Sequence, residues 1–266
     1  MTQISILGCG WLGLPLGEKF VQNGYVVKGT TTSESKILVL KNAGIQPYVI
    51  TIASNAISGE VSSFLENSEI LIINIPPKLK GMEKDNFVEK IKILLPFIES
   101  SSVKKVLFVS STSVYSDNNQ IVTEATPPQP DSESGKQLLQ AENLLINYNS
   151  IQTTVIRFGG LIGKERHPIR FLAGRKNIEN PDAPINLIHL DDCIGIIDTI
   201  IVKNIWGETL NAVTPFHPTR EKYYAQKAFA LNLDLPEFNS NSSVGKTILS
   251  DKLISLLEYT FIQNPL

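Results

Sequence analysis

Short runs of almost wholly apolar, β-branched residues recur along the first half of the chain, and longer stretches with helical spacing separate them. The runs Ile4–Leu7, Val26–Thr30, Pro47–Thr51, Ile70–Ile75, Val106–Ser110 and Thr154–Arg157 predict strands. Apolar positions spaced by three and four residues predict helices over Leu14–Asn23, Ser35–Asn42, Ile57–Glu66, Lys84–Ile98 and Gln137–Asn147. Strands that are apolar on both faces and alternate with helices need cover on both sides. They argue for a parallel sheet between two helical layers, a Rossmann-type doubly wound α/β fold.

After Phe158 the pattern changes. The segment GGLIGKERHPIRFLAGRKNIENPDAP is rich in glycine, proline and charge, and INLIHLDDCIGIIDTIIVK then reads as a short strand, an aspartate N-cap and an apolar helix. Further on, Thr209–Asn211 predicts a short strand, and helices are expected from about Thr219 and near Asp251–Leu257. The expected organisation is a Rossmann domain over 1–158, to which 187–204 returns. A small C-terminal substrate-binding lobe is expected from 159–186 and 205–266.

The most specific chemical signal is Gly8-x-Gly10-x-x-Gly13, which directly follows the first strand and opens the first helix. In that context the glycines allow a tight turn, a close backbone approach to a pyrophosphate and close helix–strand packing. Backbone amides near Trp11 and Leu12 would then hold the diphosphate at the positive end of the helix. NAD-binding folds usually carry an acidic residue about 20 residues after this loop, for the ribose 2′-hydroxyl. Here Thr31, Thr32 and Ser33 stand at that place, with Lys36 beyond. Hydroxyl donors without a carboxylate favour NADP over NAD.

Composition narrows the partners. With 24 Lys and Arg against 26 Asp and Glu, the net charge of −2 gives no case for nucleic acid. The longest apolar stretches fall short of the ~18–20 residues that span a bilayer. Two cysteines, Cys9 and Cys193, make no disulfide framework, and the three histidines show no metal-ligand spacing. A cytoplasmic protein acting on a small molecule is expected, without a metal or a membrane.

The segment VLFVSSTSVYSDNNQIVTEATPPQP, followed by VIRFGGLIG, INLIHLDD and GETLNAV, resembles the extended short-chain dehydrogenase/reductases, the NAD(P)-dependent epimerase/dehydratase family. The short lobe and NAVTPFHPTREKYY look most like its atypical YeeZ-type branch. The resemblance implies a catalytic hydroxyl four positions before the tyrosine of the Val-Tyr motif. That tyrosine is Tyr115, so the hydroxyl is Ser111. The family often pairs through a four-helix bundle, which implies a homodimer.

The family's catalytic helix carries Tyr-x-x-x-Lys, followed by a small residue and glutamate. Matching Ala141-Glu142 puts Ser134 at the tyrosine position and Leu138 at the lysine position. Lys136 lies two residues from each, about 200° round a helix, and points elsewhere. Both members of the usual pair are absent. Tyr115, or a water held by Ser111, is the candidate substitute acid. Arg166, His167, Arg170 and Arg175 put donors on the irregular segment where the family closes over substrate, and His189 is a further candidate for lining the cleft. An atypical oxidoreductase or epimerase on a small polar substrate is expected. The alternative is a non-catalytic NAD(P)-binding sensor or scaffold.

Overall fold

The computed structural model describes residues 2–77 and 86–262. Seven strands, β1 (Gln3–Leu7), β2 (Val26–Thr31), β3 (Gln46–Val49), β4 (Ile70–Ile73), β5 (Lys105–Ser111), β6 (Gln152–Phe158) and β7 (Thr209–Ala212), form one sheet. Their order is β7-β6-β5-β4-β1-β2-β3 and every pairing is parallel. All the strand C-terminal ends therefore share one edge. The chain first runs outward from β1 to β3 and then returns to β4 on the other side of β1. The gap between β1 and β4 is the switch point at which such sheets bind ligands.

Alternate residues of the strands enter two separate cores. Ile4, Ile6, Ile72 and Ile156 pack under α1 (Gly13–Gln22), with α7 (Leu190–Val202) and α9 (Asp251–Leu257) beside it. Leu7, Leu71, Ile73 and Phe108 face the opposite way, toward α3 (Val61–Leu65), α4 (Phe87–Glu99) and α5 (Glu133–Ile146). This is why the run Ile70–Ile73 has no polar face. Truncating one of these buried side chains to alanine costs about 2–5 kcal/mol in such cores. Asn86 starts α4 by accepting from Val88 N and Glu89 N, and Ser132 starts α5 by accepting from Gly135 N. The remaining helices are α2 (Ile37–Asn42), α6 (Ile169–Leu172) and α8 (Arg220–Ala230). No helix among the described residues is long and apolar enough to cross a membrane.

The lobe has its own small core, in which Ile162, Ile169, Ile185 and Leu187 pack on Tyr223 and Tyr224. Two parallel ribbons tie it to the sheet domain, Gly160–Ile162 with Leu187–His189 and Lys246–Ile248 with Gln120–Val122.

Two expectations are corrected. Thr209–Ala212 lies in the central sheet beside β6 rather than in the lobe, and α9 packs on the sheet core. Its partner strand is remote in sequence, and a short isolated strand carries no sign of which sheet it joins. The expected helix over Ile57–Glu66 is instead a two-residue strand, Ile57–Ser58, paired antiparallel with Thr51–Ile52, followed by α3. Gly59, at φ +100°, breaks the segment where the apolar spacing alone reads as continuous. The first two positions of the helix expected over Lys84–Ile98 lie outside the described residues.

Candidate functional site

The glycine loop leaves β1 at the switch point, and its shape depends on missing side chains. A Cβ on Gly8, at φ +106°, would sit 2.5 Å from Asn74 O, and one on Gly13 would sit 2.2 Å from Gly8 O. Asn74, just past β4, donates from its side chain to Gly8 O (3.0 Å), while Gly8 N donates to Thr30 Oγ1 (2.8 Å). Gly10 differs, because a Cβ there would meet nothing within 4 Å. No side chain caps α1, and its first turn holds no acid. The first-turn N–H groups and the positive helix end are thus left for an anion beside Gly10, and a pyrophosphate fits that space.

Three cavities follow the sheet's C-terminal edge. The first, about 390 Å³, is lined by Gly8, Gly10, Thr31, Thr32, Lys36 and Lys90, with no carboxylate among its described lining residues. Thr31 is partly committed: its hydroxyl donates to Ser33 O (3.3 Å) and accepts from Ser33 N (3.2 Å). The Ser33 hydroxyl meets that of Ser35 at 2.7 Å. Thr32, Lys36 and Thr51 are exposed polar groups of this wall. The second cavity, about 370 Å³, brings together Gly10, Trp11, Leu12, Ser111, Leu138 and Arg166. The third, about 350 Å³, lies toward the lobe and is lined by Ser111, Asn186, Arg220, Tyr224 and Lys246. Ser111 belongs to both the second and the third.

Ser111 ends β5 and accepts from Ser113 N (3.2 Å), capping the turn Thr112–Val114. That bond uses a lone pair and leaves the O–H free to donate. Gly135 lets α5 approach the turn, since a Cβ there would be 2.3 Å from Ser113 O. Ser134 is half-buried in the first turn of α5, its hydroxyl 3.2 Å from that of Ser132. Leu138 is buried and lines the second cavity, while Lys136 is exposed.

Tyr115 is turned away from the cleft, which corrects its reading as a substitute acid. It is 1% exposed, and its hydroxyl donates to Asn211 Oδ1 (3.0 Å) while accepting from Arg157. Burial raises the pKa of its phenol, against the opposing effect of the Arg157 charge. Arg157 also grips Glu142 through Nε and Nη2, and Glu142 accepts from Ser110. The two charges are fully paired inside the protein.

The irregular segment divides similarly. Arg166 lies over the Trp11 ring (4.8 Å to the centroid), joining the lobe to the glycine loop. Arg170 and Arg175 are on the exposed surface and line none of the three cavities. His167 is a correction, since it sits in the lobe core. Its Nδ1 accepts from Ile169 N and its Nε2 lies 2.8 Å from Tyr223 Oη. Burial holds its pKa at about 4, so the ring is neutral. His189, rather than an aspartate, caps α7 by accepting from Asp191 N (3.2 Å). Asp192 is buried and accepts from Tyr259 and from Ile262 N.

Asn74, Lys90, Arg220, Tyr224 and Lys246 line the cavities without having been singled out in the sequence. For Asn74 a signal existed, because it is a polar residue near the C-terminal end of the strand predicted over Ile70–Ile75, at the ligand-binding edge. Among the described residues no three His, Cys, Asp or Glu side chains cluster as metal ligands.

Comparison with known proteins agrees with this architecture. The chain is 30% identical over 253 residues to protein YeeZ of Escherichia coli strain K12, covering 94% of this chain and 92% of that protein. UDP-glucuronic acid 4-epimerase from Bacillus cereus, solved with NAD, superimposes with a TM-score of 0.82 at 19% identity over 99% of this chain and 93% of that one. A short-chain dehydrogenase/reductase superfamily protein from Agrobacterium tumefaciens with bound NAD gives a TM-score of 0.80 at 16% identity, over 99% and 93%. No family model matches the chain. Near-complete coverage of YeeZ, the Ser-Ser-x-x-Val-Tyr strand end and the seven-stranded fold lead to one conclusion: the chain belongs to the YeeZ-type branch of the extended short-chain dehydrogenase/reductases, the NAD-dependent epimerase/dehydratase family.

Proposed function

We propose that the chain binds NAD(P) along the first two cavities and works as an atypical oxidoreductase or epimerase on a small polar substrate in the third. The observation that carries this reading is Ser111, which lines both the second and the third cavity. A hydroxyl there can hold a substrate carbonyl or alcohol where the two spaces meet. The nicotinamide, when bound, supplies or accepts the hydride.

The N–H groups of Gly10, Trp11 and Leu12 and the uncapped end of α1 would hold the pyrophosphate. Thr32 and Lys36, with support from Thr31 and Ser33, would face the adenosine ribose. A wall with an ammonium and no carboxylate among its described residues attracts a 2′-phosphate, so NADP is favoured over NAD. Calorimetric titration of the purified protein should give tighter binding for NADPH than for NADH. Lys36→Ala should reduce that preference several-fold, about 1 kcal/mol for one partly exposed charge–charge contact. Tighter binding of NADH would refute the assignment.

Proton transfer is the unusual part. Leu138 offers no ammonium at the family's lysine position, and a serine hydroxyl at Ser134 cannot be tuned toward neutrality as a phenol can. Tyr115 is held in the interior by Arg157 and Asn211, so a water on Ser111 is the better substitute acid. A positioned acid–base contributes ~10²–10⁴-fold, and turnover without one should be slow. Deuterium exchange into NADPH across a panel of carbonyl compounds and nucleotide sugars tests for hydride transfer. No exchange with any of them would remove the catalytic half of the proposal.

A further inference from the structure

The third cavity draws its charge from two cations remote from one another in sequence. Arg220 opens α8, where one guanidinium N–H donates to Glu179 O (2.8 Å) and the group lies 5.8 Å from the Phe238 ring centroid. A guanidinium has five N–H donors in a planar fork, so one carbonyl leaves most of it for a ligand. Lys246 is fixed more firmly. Asn186 donates from Nδ2 to Lys246 O (2.8 Å) and accepts at Oδ1 from Ile248 N (2.9 Å), which ties down the strand that carries it. The Lys246 side chain is only 12% exposed, and its ammonium donates to Tyr115 O and pairs with Asp117 at 3.1 Å. Asp117 lines the same cavity, so with Arg220 and Lys246 the wall carries one net positive charge.

We propose that this cavity is a binding site for a compact monocarboxylate, held by Arg220 with Lys246 beside it. The carboxylate belongs to the substrate whose carbonyl or hydroxyl reaches Ser111, a step that rests on the oxidoreductase reading above. A carboxylate matches the guanidinium fork in two parallel hydrogen bonds. A partly buried cation attracts it more strongly than one in bulk water would. Asp117 sets the limit, because a second negative charge on the ligand would meet its carboxylate.

The test is calorimetric titration of the full chain, without nucleotide, using the 2-oxo acids from pyruvate to 2-oxohexanoate and their methyl esters. At least one acid should bind about tenfold or more tighter than its ester, and Arg220→Met should abolish that difference. Lys246→Met should weaken the acid while leaving the ester unchanged. Circular dichroism and NADPH titration of the same variants report folding and the nucleotide site separately. Equal binding of acid and ester, no binding of any acid, or an Arg220→Met variant that still prefers the acid would overturn the proposal. Acids binding to a protein that takes no NADPH would leave this site standing and remove the nucleotide reading. NADPH binding without any acid would do the reverse.

Discussion

The two ends of the cleft are built from different materials. At the end proposed for the nucleotide, the main chain forms the site. Gly8 and Gly13 have no room for a side chain, and α1 presents an uncapped end. At the lobe end, side chains from β5, α8 and the strand Lys246–Ile248 converge, and Arg220 and Lys246 are held by partners distant in sequence. A site made of backbone tolerates drift everywhere except at its glycines. A site made of side chains can lose its usual acid and base while the surrounding fold survives.

The largest effect that would sharpen this contrast comes from Glu142→Ala. It leaves Arg157 charged and unpaired in the interior, which should cost about 3–5 kcal/mol. Urea unfolding should show the loss, while the fraction that remains folded should bind NADPH as before, because the glycine loop is untouched. Equal damage to both ends would break the distinction.

Acid should also act at the lobe end first. The folded pKa of His167 is depressed to about 4 from 6.5, so between those values the unfolded chain takes up a proton that the folded chain refuses. The stability that goes with neutral His167 is present above pH ~6.5 and is lost as pH falls toward ~4, by about 2–3 kcal/mol in all. His167→Gln can still accept from Ile169 N and donate to Tyr223, and it should flatten that part of the stability profile. An unchanged profile would show that the histidine titrates normally.

Gly13→Ala probes the other end. Its Cβ cannot fit beside Gly8 O without moving the loop, an overpacking of about 1–3 kcal/mol. NADPH affinity should fall more than stability does. Affinity retained at the wild-type level would show that the loop has slack the geometry does not suggest.

The smallest effects concern turnover. Ser111→Ala should lower any hydride transfer by ~10-fold or more, the equivalent of one lost hydrogen bond at the reacting group. Lys136→Ala, on the exposed side of α5, should leave it unchanged. A large loss in the lysine variant would show that Ser134 and Leu138 do not occupy the family's tyrosine and lysine positions.

What could be read in advance follows the same division. The strands β1, β4 and β5 and the glycine loop were legible, because double-sided burial and a backbone turn leave local patterns. The exposure of Lys136 was legible too, since angular direction on a helix depends only on spacing. Tyr115 and His167 were misjudged because burial is a tertiary property. Each sits in a polar stretch, and it is put inside by contacts remote in sequence, among them Arg157 and Asn211 for Tyr115 and Tyr223 and Tyr224 for His167. Arg220 and Lys246 could not be found, because nothing local marks two cations from the C-terminal segment as neighbours of Ser111. The strand Ile57–Ser58 was hidden by an apolar spacing that Gly59 interrupts.

The seventh strand carries one more consequence. Asn211 on β7 accepts from Tyr115, which also binds Arg157 on β6, and Arg157 is paired with Glu142 on α5. The last third of the chain is thereby stitched into the sheet rather than appended to it. Backbone amides of β5, β6 and β7 should exchange with solvent deuterium together, as one cooperative unit, and more slowly than those of α6 or Thr51–Ile52. A chain cut before Thr209 would lose the sheet's edge along with the lobe, and would not survive as a smaller nucleotide-binding domain.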